Sequence, residues 1–286
     1  SSFKRNYTQV FPTMYLQFQP SEKNSFVLNY GRRIERPDYE DLNPFITFLD
    51  KYTFEQGNPN LQPQFAHNIE LSHTYKGFLT TTLNYNRTND IIEDVLEQRS
   101  DVNETFVKKS NIASRQQFGI SVNAGGQLKK WWMVNLWTNL YRNNYKGIVN
   151  GDAISLGATT FQANLTNQFK FNKGWSAELS GFFTSPLTEG VFQIHSFGQV
   201  GMGVSKTVFK GKGTFRLSAR DIFFTQKISG TSRFGTIDAA FQQQRDSRQV
   251  AFGFTWRFNK GKMNAAPKRK TGGADDERNR VKTGDN

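Results

Sequence analysis

Few side chains in this 286-residue sequence stand at spacings that would let them do chemistry. The three histidines, His67, His73 and His195, match no metal-ligand spacing, and no H-E-x-x-H occurs. His67 and His73 share a strand parity, but at ~3.3 Å per residue they stand about 20 Å apart. A chain without cysteine has no thiolate metal site, disulfide or thiol nucleophile. No G-x-S-x-G elbow presents a serine, and there is no P-loop, dinucleotide fingerprint or EF-hand loop. Gly198, Gly201 and Gly203 form no phosphate loop and read as small residues at a tight strand position. On these residues the chain is expected to be neither an enzyme nor a metal or cofactor carrier. The polar residues that do cluster are Arg32, Arg33, Arg36, Asp38, Tyr39 and Asn43, with Asn58 further on. Arg32 and Arg33 lie close enough in sequence to pair with Asp38, Glu40 and Asp41. Pro37, Pro44, Pro59 and Pro63 surround them, fixing φ and removing donors. The cluster is therefore expected to fold a loop, with ligand capture as the alternative.

What positions these residues is a backbone with a period of two. Val250, Phe252, Phe254, Trp256 and Phe258 alternate with Gln249, Ala251, Gly253, Thr255 and Arg257. Phe161, Ala163, Leu165, Phe169 and Phe171 alternate with Gln162, Asn164, Thr166, Gln168 and Lys170. Stretches around 118–122, 132–140 and 200–204 do the same, although Trp137 breaks the polar set. That set is mostly Gln, Asn, Ser, Thr and Gly. A soluble sandwich would usually present Lys and Glu to water, whereas a membrane barrel turns the apolar set to lipid and the polar set to a wet lumen. This inversion reconciles a mean hydropathy of −0.64 and 36% hydrophobic residues with a place in a bilayer. No apolar run approaches the ~18 residues of a helical span.

The alternation predicts eleven strands, at 8–19, 25–34, 64–75, 78–90, 112–125, 131–142, 158–171, 175–185, 197–209, 214–223 and 248–258. Short links with turn chemistry (20–24, 76–77, 126–130, 172–174, 210–213) alternate with long ones (35–63, 91–111, 143–157, 186–196, 224–247). Short periplasmic turns and long outer loops are the pattern of an outer-membrane barrel. Phe18, Tyr75, Phe78, Trp131, Trp132, Phe171, Trp175, Phe209 and Phe215 flank the short turns, where an aromatic girdle belongs. An odd count leaves an open edge in lipid, so the chain is expected to be the C-terminal part of a larger barrel of roughly 22 strands.

The net charge of +13 and pI near 9.8 raise a nucleic-acid reading. Residues 259–286 hold eight basic and four acidic side chains, however, and almost nothing apolar. They read as a solvated basic tail in the periplasm, following a barrel portion over 1–258, and no nucleic-acid partner is expected.

Arg32-Arg33-Ile34-Glu35-Arg36-Pro37, Leu42-Asn43-Pro44 and Gly57-Asn58-Pro59-Asn60-Leu61-Gln62-Pro63 together resemble the barrel half of TonB-dependent outer-membrane receptors, in an outer-membrane β-barrel family. In that family "RRIxRP…LNP" and "GNPxLxP" segments flank a long outer loop. Trp256-Arg257-Phe258 is similar to the terminal aromatic strand read by the barrel-assembly machinery, although here 28 residues follow it. The resemblance implies an all-β antiparallel transmembrane barrel in a Gram-negative outer membrane, in contact with lipid and lipopolysaccharide. It further implies TonB and a plug domain reached through upstream parts, and uptake of a small extracellular ligand. A structural or secretion barrel without its own substrate is the alternative, and a soluble glycan-binding β-sandwich a third.

Overall fold

The computed structural model describes residues 9–258 apart from 100–102, 113, 150 and 236. The tail expected over 259–286 lies outside the described residues. In chain order the elements are β1 (Thr13–Ser21), β2 (Asn24–Glu35), the single turn α1 (Tyr39–Leu42), β3 (Ile46–Phe48), β4 (Thr53–Gln56), β5 (Gln64–Tyr75) and β6 (Leu79–Asn89). Then come β7 (Ile92–Arg99), β8 (Glu104–Asn111), β9 (Ser114–Lys129), β10 (Trp132–Val149), β11 (Asp152–Lys170) and β12 (Trp175–Thr184). The last are β13 (Leu187–Glu189), β14 (Phe192–Ile194), β15 (Phe197–Val208), β16 (Gly213–Arg220), β17 (Lys227–Phe234), β18 (Ile237–Gln244) and β19 (Gln249–Trp256).

Eleven strands form one antiparallel sheet in the order β1-β2-β5-β6-β9-β10-β11-β12-β15-β16-β19. These are the eleven segments that the alternation marks, with ends shifted by a few residues. The register lines up the apolar set into continuous rows. Leu16, Leu28, Leu71, Leu83, Ile120, Leu140 and Phe161 are successive cross-strand partners. The row is not covered by protein: Leu83 is 42% and Leu140 46% exposed. On the opposite face, Tyr15, Asn29, Glu70, Asn84, Gly119, Tyr141 and Thr160 form the matching polar row.

Three of the short turns share a Lys-Gly pair with both residues at positive φ: Lys76-Gly77, Lys173-Gly174 and Lys210-Gly211. Two successive left-handed residues match the right-handed twist of the flanking strands, and glycine adopts the second without a steric cost. The turns are tighter than the sequence suggests. Pro20 falls inside β1 at a register irregularity of this edge strand, and Gly126 falls inside β9, so the links shrink to 22–23 and 130–131.

The long links correct the reading more substantially. Residues 143–157 are not a loop, because β10 and β11 stay paired up to Val149 and Asp152. At ~3.3 Å per residue the 18 residues of β10 reach about 60 Å, twice the ~30 Å hydrocarbon thickness. The Asn150-Gly151 dipeptide was the available signal for a tight hairpin there. The other four long links carry strands of their own. β3, β4, β8 and β7 make one small sheet, in which β4 and β8 run parallel, and β13, β14, β17 and β18 make a second.

Orientation of the large sheet gives a direct test. Leu83→Arg, on the apolar row, should cost about 2–4 kcal/mol in folding into a bilayer or detergent, while Thr82→Arg on the polar face should cost less than about 1 kcal/mol. Urea unfolding titrations of the reconstituted protein read both values.

Candidate functional site

The polar face is self-paired by short uncharged side chains that the register places opposite one another. Ser72 and Thr82 share a hydrogen bond of 2.8 Å, Thr74 and Thr80 one of 3.0 Å, and Ser176 and Ser205 one of 2.7 Å. The Asn86 amide donates to Asn68, and Thr88 donates to the Asn86 carbonyl at 3.0 Å. Such a surface offers donors and acceptors to a hydrated solute. Two polar exceptions on the apolar face are answered by neighbours. The Trp132 indole donates to Asn167 Oδ1 at 3.0 Å, and Lys206 Nζ reaches the Lys173 carbonyl at 2.7 Å across the Trp175 ring. The lysine therefore delivers its charge to the turn rather than to the sheet face.

Where β10 and β11 continue past the membrane-spanning length, the polar face turns apolar. Tyr145, Val149 and Ile154 pack with Ile91, Val95, Ile112 and Val191 into a buried cluster, with Phe192 and Phe234 against it. Residues of β7, the β13–β14 turn and β17 thus meet over the loop-side end of that face. Glu93 of β7 is part of this contact. Gly190, at φ +55, sits so close that an added Cβ would lie 3.2 Å from Glu93 Cβ. Burial, with the Glu189 carboxylate beside it, pushes the Glu93 carboxyl up to about 7, against the opposing pull of Arg115 and Lys109 and with Asp94 adding to the rise. Sequence reasoning missed this group; an isolated glutamate on a short strand gives no pattern that announces burial.

The clustered motif residues separate into two groups. Asp38 precedes α1 and its N–H donates to Asp41, while Tyr39 begins the turn 83% exposed. Asn43 Oδ1 accepts from the Phe45 N–H at 3.2 Å. Asn58 is brought to the same place: its N–H donates to the Asp41 carbonyl at 2.6 Å, its Nδ2 to the Lys109 carbonyl at 3.1 Å, and its Oδ1 accepts from the Asn60 N–H at 2.9 Å. Gly57 lets the segments close, since a Cβ there would stand 2.3 Å from the Asn43 carbonyl oxygen. The arginines lie elsewhere. Arg32 donates to the Val10 carbonyl at 2.8 Å and Gln9 Oε1 at 2.9 Å, with Phe65 and Phe11 beside its guanidinium. It does not take up the expected pairing with the acids, because its parity puts it on the apolar face; Asp41 meets Lys109 instead, at 3.8 Å. Arg33 is the register partner of Ala66 on the polar face, and Arg36 follows the end of β2.

At the turn side, Trp256 pairs in register with Gly213 and packs on Phe209 at 5.2 Å, with Phe254 and Phe258 next to it. Trp131, Trp132, Phe169 and Phe171 form a second group with ring centroids 6.1–6.4 Å apart. Trp131, Trp132, Phe171 and Phe209, four of the aromatics expected to flank the short turns, thus take part in these two groups.

Two outcomes follow from the loop layer. Gly57→Ala should cost about 1–3 kcal/mol through overpacking, whereas Gly253→Ala, with nothing near its Cβ position, should be close to neutral. Thermal unfolding of the two variants makes the comparison. Glu93 binds its proton more tightly in the folded state than at its ordinary value of 4.5, so the docked loops should lose stability as pH rises from about 4.5 to about 7 and level off above. Hydrogen-exchange protection of β7, corrected for intrinsic rates, should show this slope, and Glu93→Gln should flatten it.

Comparison with known proteins agrees with this geometry. Residues 1–256 match the model of the outer membrane protein beta-barrel family. No curated protein sequence matches significantly. Among solved structures, the siderophore receptor PirA from Pseudomonas aeruginosa is similar with a TM-score of 0.53 at 16% identity, over 76% of this chain and 36% of that one. A ferric enterobactin receptor (PfeA) from the same organism is similar at 0.54 and 14% identity, over 86% and 40%. The copper transporter OprC reaches 0.57 at 12% identity, over 86% and 39%. The chain spans 36–40% of the length of these chains, and at such identities the likeness is one of fold. With the family match over nearly its whole length, an apolar band for lipid and a polar face for the lumen, this chain belongs to the outer membrane protein beta-barrel family and is placed in the Gram-negative outer membrane.

Proposed function

We propose that the sheet is one sector of a larger TonB-dependent barrel that takes up a small extracellular nutrient. The observation that carries this reading is the polar face, on which β5–β6 and β12–β15 oppose paired hydroxyls and amides, backed by lipid-facing rows. Among the described residues β1 and β19 each pair on one side only, and an unpaired edge in hydrocarbon costs several kcal/mol per exposed backbone group, so in this reading further strands complete the ring. The structural neighbours, named as siderophore receptors and a copper transporter, support uptake as the task and leave the cargo of this barrel to its own residues. In this reading the Asn43–Gly57–Asn58 contact is a loop clasp, and ligand capture falls to the wall and the loops above it. TonB and a plug act through other parts of the polypeptide, and Trp256 and Phe258 present the signal to the barrel-assembly machinery.

An antibody against residues 259–286 should detect a polypeptide of about 90–120 kDa in the outer-membrane fraction, the size of a ~22-strand barrel with a plug. Growth that requires this protein should also fail on TonB depletion. A 33 kDa species in the soluble fraction, or TonB-independent growth, would sink the proposal.

A further inference from the structure

Asp221, the residue after β16, is fully buried. Its carboxylate accepts from the Thr225 N–H at 2.9 Å, the Gln226 N–H at 3.2 Å and the Ser247 hydroxyl. Thr225 is fixed a second time, through its hydroxyl to the Gly198 carbonyl at 2.9 Å. One carboxylate thus ties together both ends of the excursion that carries β17 and β18. Gln226 and Ser247, held in this way, stand on the wall of a cavity of about 370 Å³ at the loop-side end of the polar face. Arg220 and Gln249, cross-strand partners on that face, line it too, as do Gln243 and Arg245.

The recess has a demand that the protein leaves unmet. Gln226 is half-buried, and its Oε1 is enclosed with no hydrogen-bond donor among the described residues, so it is open to a donor from water or a solute. It calls for a hydroxyl or N–H from outside. Arg220 and Arg245 supply planar guanidinium donors, which suit a carboxylate bidentately. Asp246, also on the wall, accepts a second hydroxyl and lowers the formal charge of the recess to +1. That charge suits a monoanion better than a phosphate dianion. A neutral sugar would leave one of the two guanidinium charges without a counter-charge.

We propose that this recess is a binding subsite for a hydroxylated carboxylate, the chemistry shared by uronic-acid residues of saccharides and by free hydroxy acids. The inference rests on the uptake reading for its purpose and on the recess alone for its chemistry.

The test is calorimetric titration of the full-length protein, extracted in detergent from outer membranes, with sodium D-glucuronate, sodium D-gluconate and D-glucose. Glucuronate, gluconate or both should bind saturably and at least about 10-fold more tightly than glucose. Binding of glucuronate alone identifies a saccharide source, and binding of gluconate alone a free hydroxy acid. Arg220→Gln, Arg245→Gln and Gln226→Leu should each weaken the bound acid by about 10-fold or more, as loss of a charge-assisted or buried hydrogen bond does. Gln242→Ala, outside the recess, should leave affinity unchanged, and unfolding temperatures confirm that each variant is folded. No saturable binding of either acid, equal affinity for glucose, or indifference to both arginine substitutions overturns the subsite. The titration involves no TonB, so its failure is separable from failure of the uptake reading.

Discussion

Hydrocarbon offers no hydrogen-bond partner to a peptide group, so every N–H and C=O that crosses it must be met by a neighbouring strand. Most of what this chain does with its sequence follows from that condition. The eleven strands pair in nearly unbroken antiparallel ladders, and the side-chain period of two then assigns each residue to lipid or to lumen. Because the ladder satisfies the backbone, the lumen side chains need only satisfy one another, which opposed Ser–Thr, Thr–Thr and Asn–Asn positions do with little charge. Even the departures obey the rule: Asn167 sits under the Trp132 indole, and Lys206 escapes to a turn carbonyl.

Beyond the lipid the same strands meet different physics. Water can answer the backbone there, and burial has to be built from loops. β10 and β11 supply Tyr145, Val149 and Ile154 as a platform, and hairpins from separate connections fold onto it. The buried apolar cluster consequently lies above the membrane-spanning part, the reverse of a soluble sheet protein, whose core lies between its layers. An acid as confined as Glu93 is tolerated in this layer because the layer need not be as stable as the ladder beneath it.

How far the sequence could be read divides along the same line. Val250 to Phe258 and Phe161 to Phe171 announce their strands because one face must be apolar at every second position for the length of the bilayer. The turns are legible because Lys76-Gly77 and its counterparts need positive φ. The parallel pairing of Thr53–Gln56 with β8 has no such signature, since it joins residues some fifty positions apart through strands too short to show a period. Asn58 looked like a turn former, and it does bend the chain, but its bond to the Lys109 carbonyl depends on that distant pairing. Gln226 and Asp221 were invisible for a similar reason: nothing local distinguishes a buried or clamped polar residue from a solvated one in a polar loop.

The strand order of the large sheet carries a consequence for how such proteins change over time. Every strand is bonded only to its predecessor and successor among the sheet strands. Duplicating or excising one hairpin would therefore leave all other registers intact and alter the circumference by two strands, so pore width is adjustable in discrete increments. The layer above resists this freedom. β4 bonds to β8 across the β5–β6 hairpin, and β14 to β17 across β15 and β16. Those hairpins are stapled from above, whereas no strand pairing bridges over β10 and β11 among the described residues. Lineages of this architecture should accordingly gain and lose hairpins at unbridged positions and keep the bridged pairs together as inherited blocks.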